Sequence, residues 1–163
     1  MSGLMDIFAH LEQEGVQLSS IINGAAVKSP LPAMPKINPA TGTVIASIEP
    51  ASPEMLDDAV RYAAAAQKDW AARTAKDRSK ILERWFDLMM EHQDDLGTIL
   101  TAEQGKPLAE AKGEIAYGAS FIEFFGEQAK RVYGETIPGH QRDKRITVIK
   151  QPIGVAASIT PWN

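Results

Sequence analysis

GVAASITPWN, residues 154–163, opens as a run of small and β-branched apolar residues: Val155, Ala156, Ala157 and Ile159. With no polar alternation, such a run suits a strand covered on both faces of a sheet better than a strand with one wet face. Thr160, Pro161, Trp162 and Asn163 then give it a polar tip. A buried strand needs neighbours on both sides for its N–H and C=O groups, and the remaining sequence offers few good candidates. In open α/β sheets, ligands bind beyond the carboxyl ends of the strands, which is where Asn163 falls. Pattern alone therefore predicts part of an α/β ligand-binding protein.

Four helices precede that stretch. Ser52 is a good N-cap, Pro53 suits the first helical position and Glu54 suits the dipole. From there Ala59, Tyr62, Ala63, Ala66 and Trp70 form one apolar stripe at helical spacing. A second helix starts near Thr74, with Asp77 three residues on in a capping-box arrangement. Its expected buried face is Ile81, Leu82, Trp85, Leu88 and Met89. At this spacing Trp70 and Trp85 read as core packing rather than as a cofactor box. A third helix, about 94–104, ends at Gly105, which fits a left-handed position after the last turn.

Lys106 and Pro107 open the longest helix, which is expected to run to about Val132 with Leu108, Ala111, Ile115, Gly118, Ile122, Phe125, Ala129 and Val132 on one face. Gly113, Gly118 and Gly126 each cost roughly 1 kcal/mol against alanine in a helix. They leave two readings open: a backbone or ligand that approaches this helix, or close helix packing alone. Glu110, Glu114, Glu123 and Glu127 read as a solvated face rather than as acid–base pairs, because Lys106, Lys112 and Lys130 lie among them.

The flanks read as extended. Residues 6–14 form either a short helix or a frayed terminus. Asn23-Gly24 between short apolar runs signals a hairpin. Four prolines make Ser29 to Pro39 an extended connector, and Thr43 to Ile48 alternates like a strand. After the long helix, residues 136–143 read as a polar connector and Arg145 to Gln151 as a strand that Pro152 confines to an edge or crossover.

The chain has 163 residues, 44% apolar and 23% charged, which places it among globular domains rather than disordered chains. Its formal net charge of −4 and lack of a basic stripe argue against nucleic acid or an anionic membrane as partner. It has no cysteine, so disulfides, thiolate metal sites and a cysteine nucleophile are excluded within these residues. His10, His92 and His140 show no metal-binding spacing. No apolar run reaches membrane-spanning length. Asp6, Glu12 and Glu14 argue against a leader sequence, so the expected location is cytoplasmic. There is no G-x-G-x-x-G, no phosphate loop and no G-x-S-x-G elbow.

From about Leu18 onward the sequence resembles the N-terminal part of an aldehyde dehydrogenase, most nearly the bacterial succinate-semialdehyde branch. The matching stretches are residues 38–42 (NPATG), 85–96 (WFDLMMEHQDDL), 103–115 (EQGKPLAEAKGEI), 120–125, 133–139 (YGETIPG) and 150–163 (KQPIGVAASITPWN). The resemblance implies an α/β fold whose helical layer and flanking hairpins lead into an oligomerisation strand and the first strand of a Rossmann-like cofactor domain. The corresponding units are an arm over 1–17, the front of the cofactor-binding domain over 18–143, the oligomerisation-type strand over 144–152 and a truncated dinucleotide-binding strand over 153–163. It implies oxidation of an aldehyde through a cysteine thiohemiacetal, with NAD or NADP as cofactor and a native homo-oligomer. By that resemblance Asn163 donates to the oxyanion, a residue that pattern alone reads as a strand-end turn. Ile159, Thr160, Pro161, Trp162 and Asn163 run along the dinucleotide. Gly113 and Tyr117 line the substrate tunnel, with ordinary core packing the alternative for Tyr117. The family's cysteine nucleophile and general-base glutamate have no counterpart here, so the chain alone is expected to be inactive. A non-catalytic partner of a full-length enzyme and a helical interaction module are the two other readings.

Overall fold

Helix ends in this chain are settled by residues next to them. A computed structural model describes residues 17–160; the expected helix at 6–14 and the terminal Pro161, Trp162 and Asn163 lie outside them. Helix α1 runs Pro53–Ala72, α2 Ala75–Glu91, α3 Gln93–Gln104 and α4 Leu108–Gln128, the last continued by a 3₁₀ turn at Ala129–Arg131. Ser52 Oγ accepts the Met55 N–H at 3.3 Å to start α1. Thr74 Oγ1 accepts the Asp77 N–H at 3.2 Å and donates to Asp77 Oδ2 at 2.6 Å to start α2. Gly105 ends α3 at φ 81°, its N–H donating to the Thr101 carbonyl. These boundaries match the sequence reading.

The strands form three small sheets. Strands β2 (Ser20–Ile22) and β3 (Ala25–Val27) make the expected hairpin, with positive φ at both Asn23 (52°) and Gly24 (77°). Strand β5 (Val44–Ile48) lies between β1 (Gln17–Leu18), which is parallel to it, and β4 (Met34–Ile37), which is antiparallel. The proline-rich connector thus contains a strand. Pro35 is tolerated because β4 is an edge, where a missing N–H costs no ladder bond. Likewise the connector at 136–143 gives up its first part to β6 (Glu135–Pro138), which pairs antiparallel with β7 (Arg145–Val148). Regular pairing ends at Val148, short of the expected Gln151.

The stretch at 153–160 departs most from expectation. The expected first strand of the dinucleotide-binding sheet is not formed: residues 149–160 have no regular structure and all are exposed. No described strand runs beside them, so their backbone groups have no ladder to join.

Packing is built on α4. Ala111 and Ala119 are fully buried, and Gly126 is buried on the same side, with Ile115 and Ile122 half-buried between them. This seam takes α2 on one part and α3 on another. A Cβ at Gly126 would sit 3.3 Å from Leu82 Cβ, and one at Gly97 on α3 would sit 2.8 Å from Lys112 Cγ and 3.3 Å from Lys112 N. Close helix approach therefore explains Gly126, and also Gly97. It does not explain Gly113 or Gly118, where an added Cβ would meet nothing within 4 Å. Phe125 and Val132, assigned to the buried face from periodicity, are exposed instead. Asp94 and Lys112 (2.8 Å) and Gln93 Nε2 to the Lys112 carbonyl (2.8 Å) tie the α3–α4 contact at its edge.

Two predicted core faces are open. On α1, Tyr62 and Trp70 are exposed along with Ala63 and Ala66; among the described residues this helix leans mainly on β2 of the hairpin, beside Ile21 and Ile22. On α2, Ile81, Trp85 and Leu88 are exposed, while Leu82, Phe86 and Met89 turn partly inward. The accessible surface is 12233 Å². A compact monomer of this mass would expose about 7,900 Å². The helical periodicity was real, but no described element covers these faces.

The α2–α4 contact carries a polar clamp. Ser79, 1% exposed, donates its hydroxyl to Glu83 Oε1 at 2.7 Å. Lys130 bridges Glu83 (3.5 Å) and Glu127 (2.9 Å). The Ser79 hydrogen bond, followed by the Lys130 charge, holds the Glu83 carboxyl below its usual range.

Two outcomes follow for unfolding of the chain. Gly113→Ala should raise its stability by roughly 0.5–1 kcal/mol, because a helical glycine in open space loses only entropy. Gly97→Ala should lower stability by about 1 kcal/mol or more, because the methyl meets Lys112; equal shifts in thermal melts would contradict the contrast. Glu83 has a depressed folded-state pKa, so its contribution is present above the ordinary value of 4.5 and is lost as pH falls through the lower folded value. Glu83→Gln should therefore flatten the acid limb of stability against pH, and an unchanged limb would remove Glu83 from the clamp.

Candidate functional site

One face of α4 is apolar, aromatic and uncovered. Gly113, Tyr117 and Phe121 follow one another at intervals of four and so share that face. Tyr117 is 67% exposed and Phe121 48%. Their rings meet edge to face, centroids 5.0 Å apart at 79°. Phe124 and Phe125, also exposed, pair edge-on with each other at 5.3 Å. Within the described residues the Tyr117 ring is exposed rather than packed in a core. The structure therefore brings Gly113 and Tyr117 together on a free wall. Phe121 completes that wall; the sequence reading missed it, although its i+4 spacing from Tyr117 was visible.

The turn before this helix is pinned beside the wall. Lys106 forms an ion pair with Glu114, the neighbour of Gly113, with the lysine head half-buried. A Cβ on Gly105 would meet Pro39 Cγ at 2.9 Å, so the 38–42 turn packs directly on the end of α3. That turn is closed by Asn38 Oδ1 accepting the Ala40 N–H at 2.9 Å and by Gly42 N–H donating to the Asn38 carbonyl at 2.8 Å. The carboxylates of α4 behave as a solvated, lysine-paired face: Glu114 with Lys106, Glu127 with Lys130. Among the described residues, no three His, Cys, Asp or Glu side chains cluster as a metal site. No described helix is long and apolar enough to cross a membrane.

The second part of the expected site is less complete. Ile159 is 98% exposed and Thr160 is exposed, both on the unpaired segment. Pro161, Trp162 and Asn163 lie outside the described residues, so no geometry joins them to Tyr117. Earlier in the same segment, Val155 and Ala156 border an open cleft of about 420 Å³ with Ala63, Ala66, Gln67 and Trp70 of α1. The apolar stripe of α1 thus faces the run that was read as a buried strand. The described residues do not form a dinucleotide pocket: Ile159 and Thr160 lie on an exposed segment without regular structure, and no described residue encloses it.

Comparison with known proteins gives this arrangement a context. The chain is 64% identical over 126 residues to a glutarate-semialdehyde dehydrogenase of Pseudomonas aeruginosa and 60% identical over 126 residues to an NADP-type succinate-semialdehyde dehydrogenase of Escherichia coli. Each alignment takes in 77% of this chain and 26% of the relative, so the chain spans about a quarter of the length of the proteins it matches. A crystal structure described as an E. coli NADP-dependent enzyme superposes with a TM-score of 0.86 at 52% identity, over 94% of this chain and 31% of the other. Residues 27–163 match the model of the aldehyde dehydrogenase family, and the chain belongs to that family.

Proposed function

We propose that this chain supplies the front of the cofactor-binding domain in an NAD(P)-dependent dehydrogenase of a short ω-carboxylated aldehyde, with succinate semialdehyde as the leading substrate. The observation that carries the reading is the contrast along α4. Gly126 is explained by helix packing, whereas Gly113 stands in open space one turn from an exposed Tyr117. A helix that accepts the cost of a glycine without a packing reason leaves room for something outside it. The semialdehyde dehydrogenases among its relatives favour the substrate class.

In this reading the Gly113–Tyr117 face forms one wall of the aldehyde's approach. A cysteine thiolate from outside these 163 residues attacks the aldehyde carbon, forming a C–S bond and leaving an oxyanion on the former carbonyl oxygen. The side-chain amide of Asn163 donates a hydrogen bond to that oxyanion, a contribution of about 2.7–4 kcal/mol in sites of this kind. Ile159, Thr160, Pro161 and Trp162 offer backbone groups along NAD or NADP, which supplies the hydride acceptor when bound. The β6–β7 hairpin, with both edges free, serves a homo-oligomeric contact, and the protein works in the cytoplasm.

The purified 163-residue chain should not reduce NAD or NADP in the presence of succinate semialdehyde, since it contains no cysteine. Turnover by a chain verified at this length would overturn the assignment of the nucleophile to outside residues. In a complete dehydrogenase carrying this segment, Asn163→Ala should lower kcat by about 10²–10³-fold. Retention of near-normal kcat would remove Asn163 from the oxyanion site.

A further inference from the structure

We infer that Phe121 is a positioning residue that holds Tyr117 beside the gap at Gly113 and so sets how well a short aldehyde chain is gripped. The inference rests on the reading of this α4 face as a wall of the aldehyde site. Helical side chains lean toward the N-terminus, so Phe121 lies over the turn of Tyr117 and Tyr117 leans toward the turn of Gly113. The Phe121 ring meets the Tyr117 ring edge to face, at 5.0 Å and 79°. The Tyr117 carbonyl is engaged by the Ser120 hydroxyl at 2.7 Å, which fixes backbone and not ring. Phe124 cannot substitute, because its ring is committed to Phe125. Without Phe121, an exposed Tyr117 would sample other staggered wells. No heavy atom, those of the Tyr117 ring included, comes within 4 Å of where a Gly113 Cβ would stand, so room is left on this face one turn from the ring. The space between ring and backbone suits the methylene chain of a small aldehyde, whose polar ends would be bound elsewhere.

The test is steady-state kinetics with succinate semialdehyde in the complete dehydrogenase carrying this segment, comparing Phe121→Leu, Tyr117→Ala, the double variant and Phe121→Trp. Phe121→Leu should raise KM about fivefold, the loss expected from one aromatic edge contact, with kcat moving less. Tyr117→Ala should raise KM at least as much. The double variant should be no worse than Tyr117→Ala alone, because Phe121 acts through Tyr117. Phe121→Trp, which keeps a ring edge, should retain most of the grip. If Phe121→Leu leaves KM unchanged while Tyr117→Ala raises it, the wall stands and the positioning role falls. If the two losses add in full, Phe121 acts independently of Tyr117 and the inference falls. If Tyr117→Ala leaves KM unchanged, the wall itself is wrong and the inference goes with it. Should Phe121→Leu fail to fold, Phe121→Met replaces it under the same criteria.

Discussion

Close approach of α4 to its two neighbours is what the described structure depends on. Ala111, Ala119 and Gly126 keep one side of α4 nearly smooth, and Gly97 does the same for the facing side of α3. Small residues let helix backbones come near enough for dispersion contacts to be made along the whole seam. Because that seam uses the small side of α4, the large residues Tyr117, Phe121, Phe124 and Phe125 are left on the other sides. The exposed aromatic wall is thus a consequence of how the helix packs: one face makes the small-residue contacts and the aromatic face is left uncovered by the described residues.

What could be read from sequence divides by the range of the interaction. The Ser52 and Thr74 caps, the Asn23-Gly24 turn and the left-handed Gly105 are all fixed within about five residues, and each was legible. The open faces of α1 and α2 were not. Periodicity reports that Tyr62, Trp70 and Trp85 want cover, and it is silent on whether cover is present. Strands β4 and β6 were hidden for a related reason. Pro35 and Pro138 are poor strand residues, and only an edge position beside β5 or β7 makes them acceptable.

The site was partly legible. Gly113 and Tyr117 came from a family resemblance, since nothing in their spacing marks them apart from a core stripe. The structure separates them from Gly126, which sequence reasoning had grouped with Gly113. The run at 154–160 illustrates the opposite limit. Its apolar composition is that of a strand, yet a strand is a property of a pair. Val155 and Ala156 lie beside the α1 stripe yet stay exposed, and no described strand offers them a ladder.

The local caps have a consequence for the order of events during synthesis. Helices α1 to α3 draw their end groups from residues a few positions away, the α3–α4 contact joins neighbours in the chain, and the α2–α4 contact skips one helix. Structure of this low contact order forms quickly, before distant partners arrive. A ribosome adding about 5–20 residues per second would therefore release a helical layer already assembled, the aromatic face of α4 bare, before β6 and β7 have paired. The bare faces of that layer are what a chaperone would meet first.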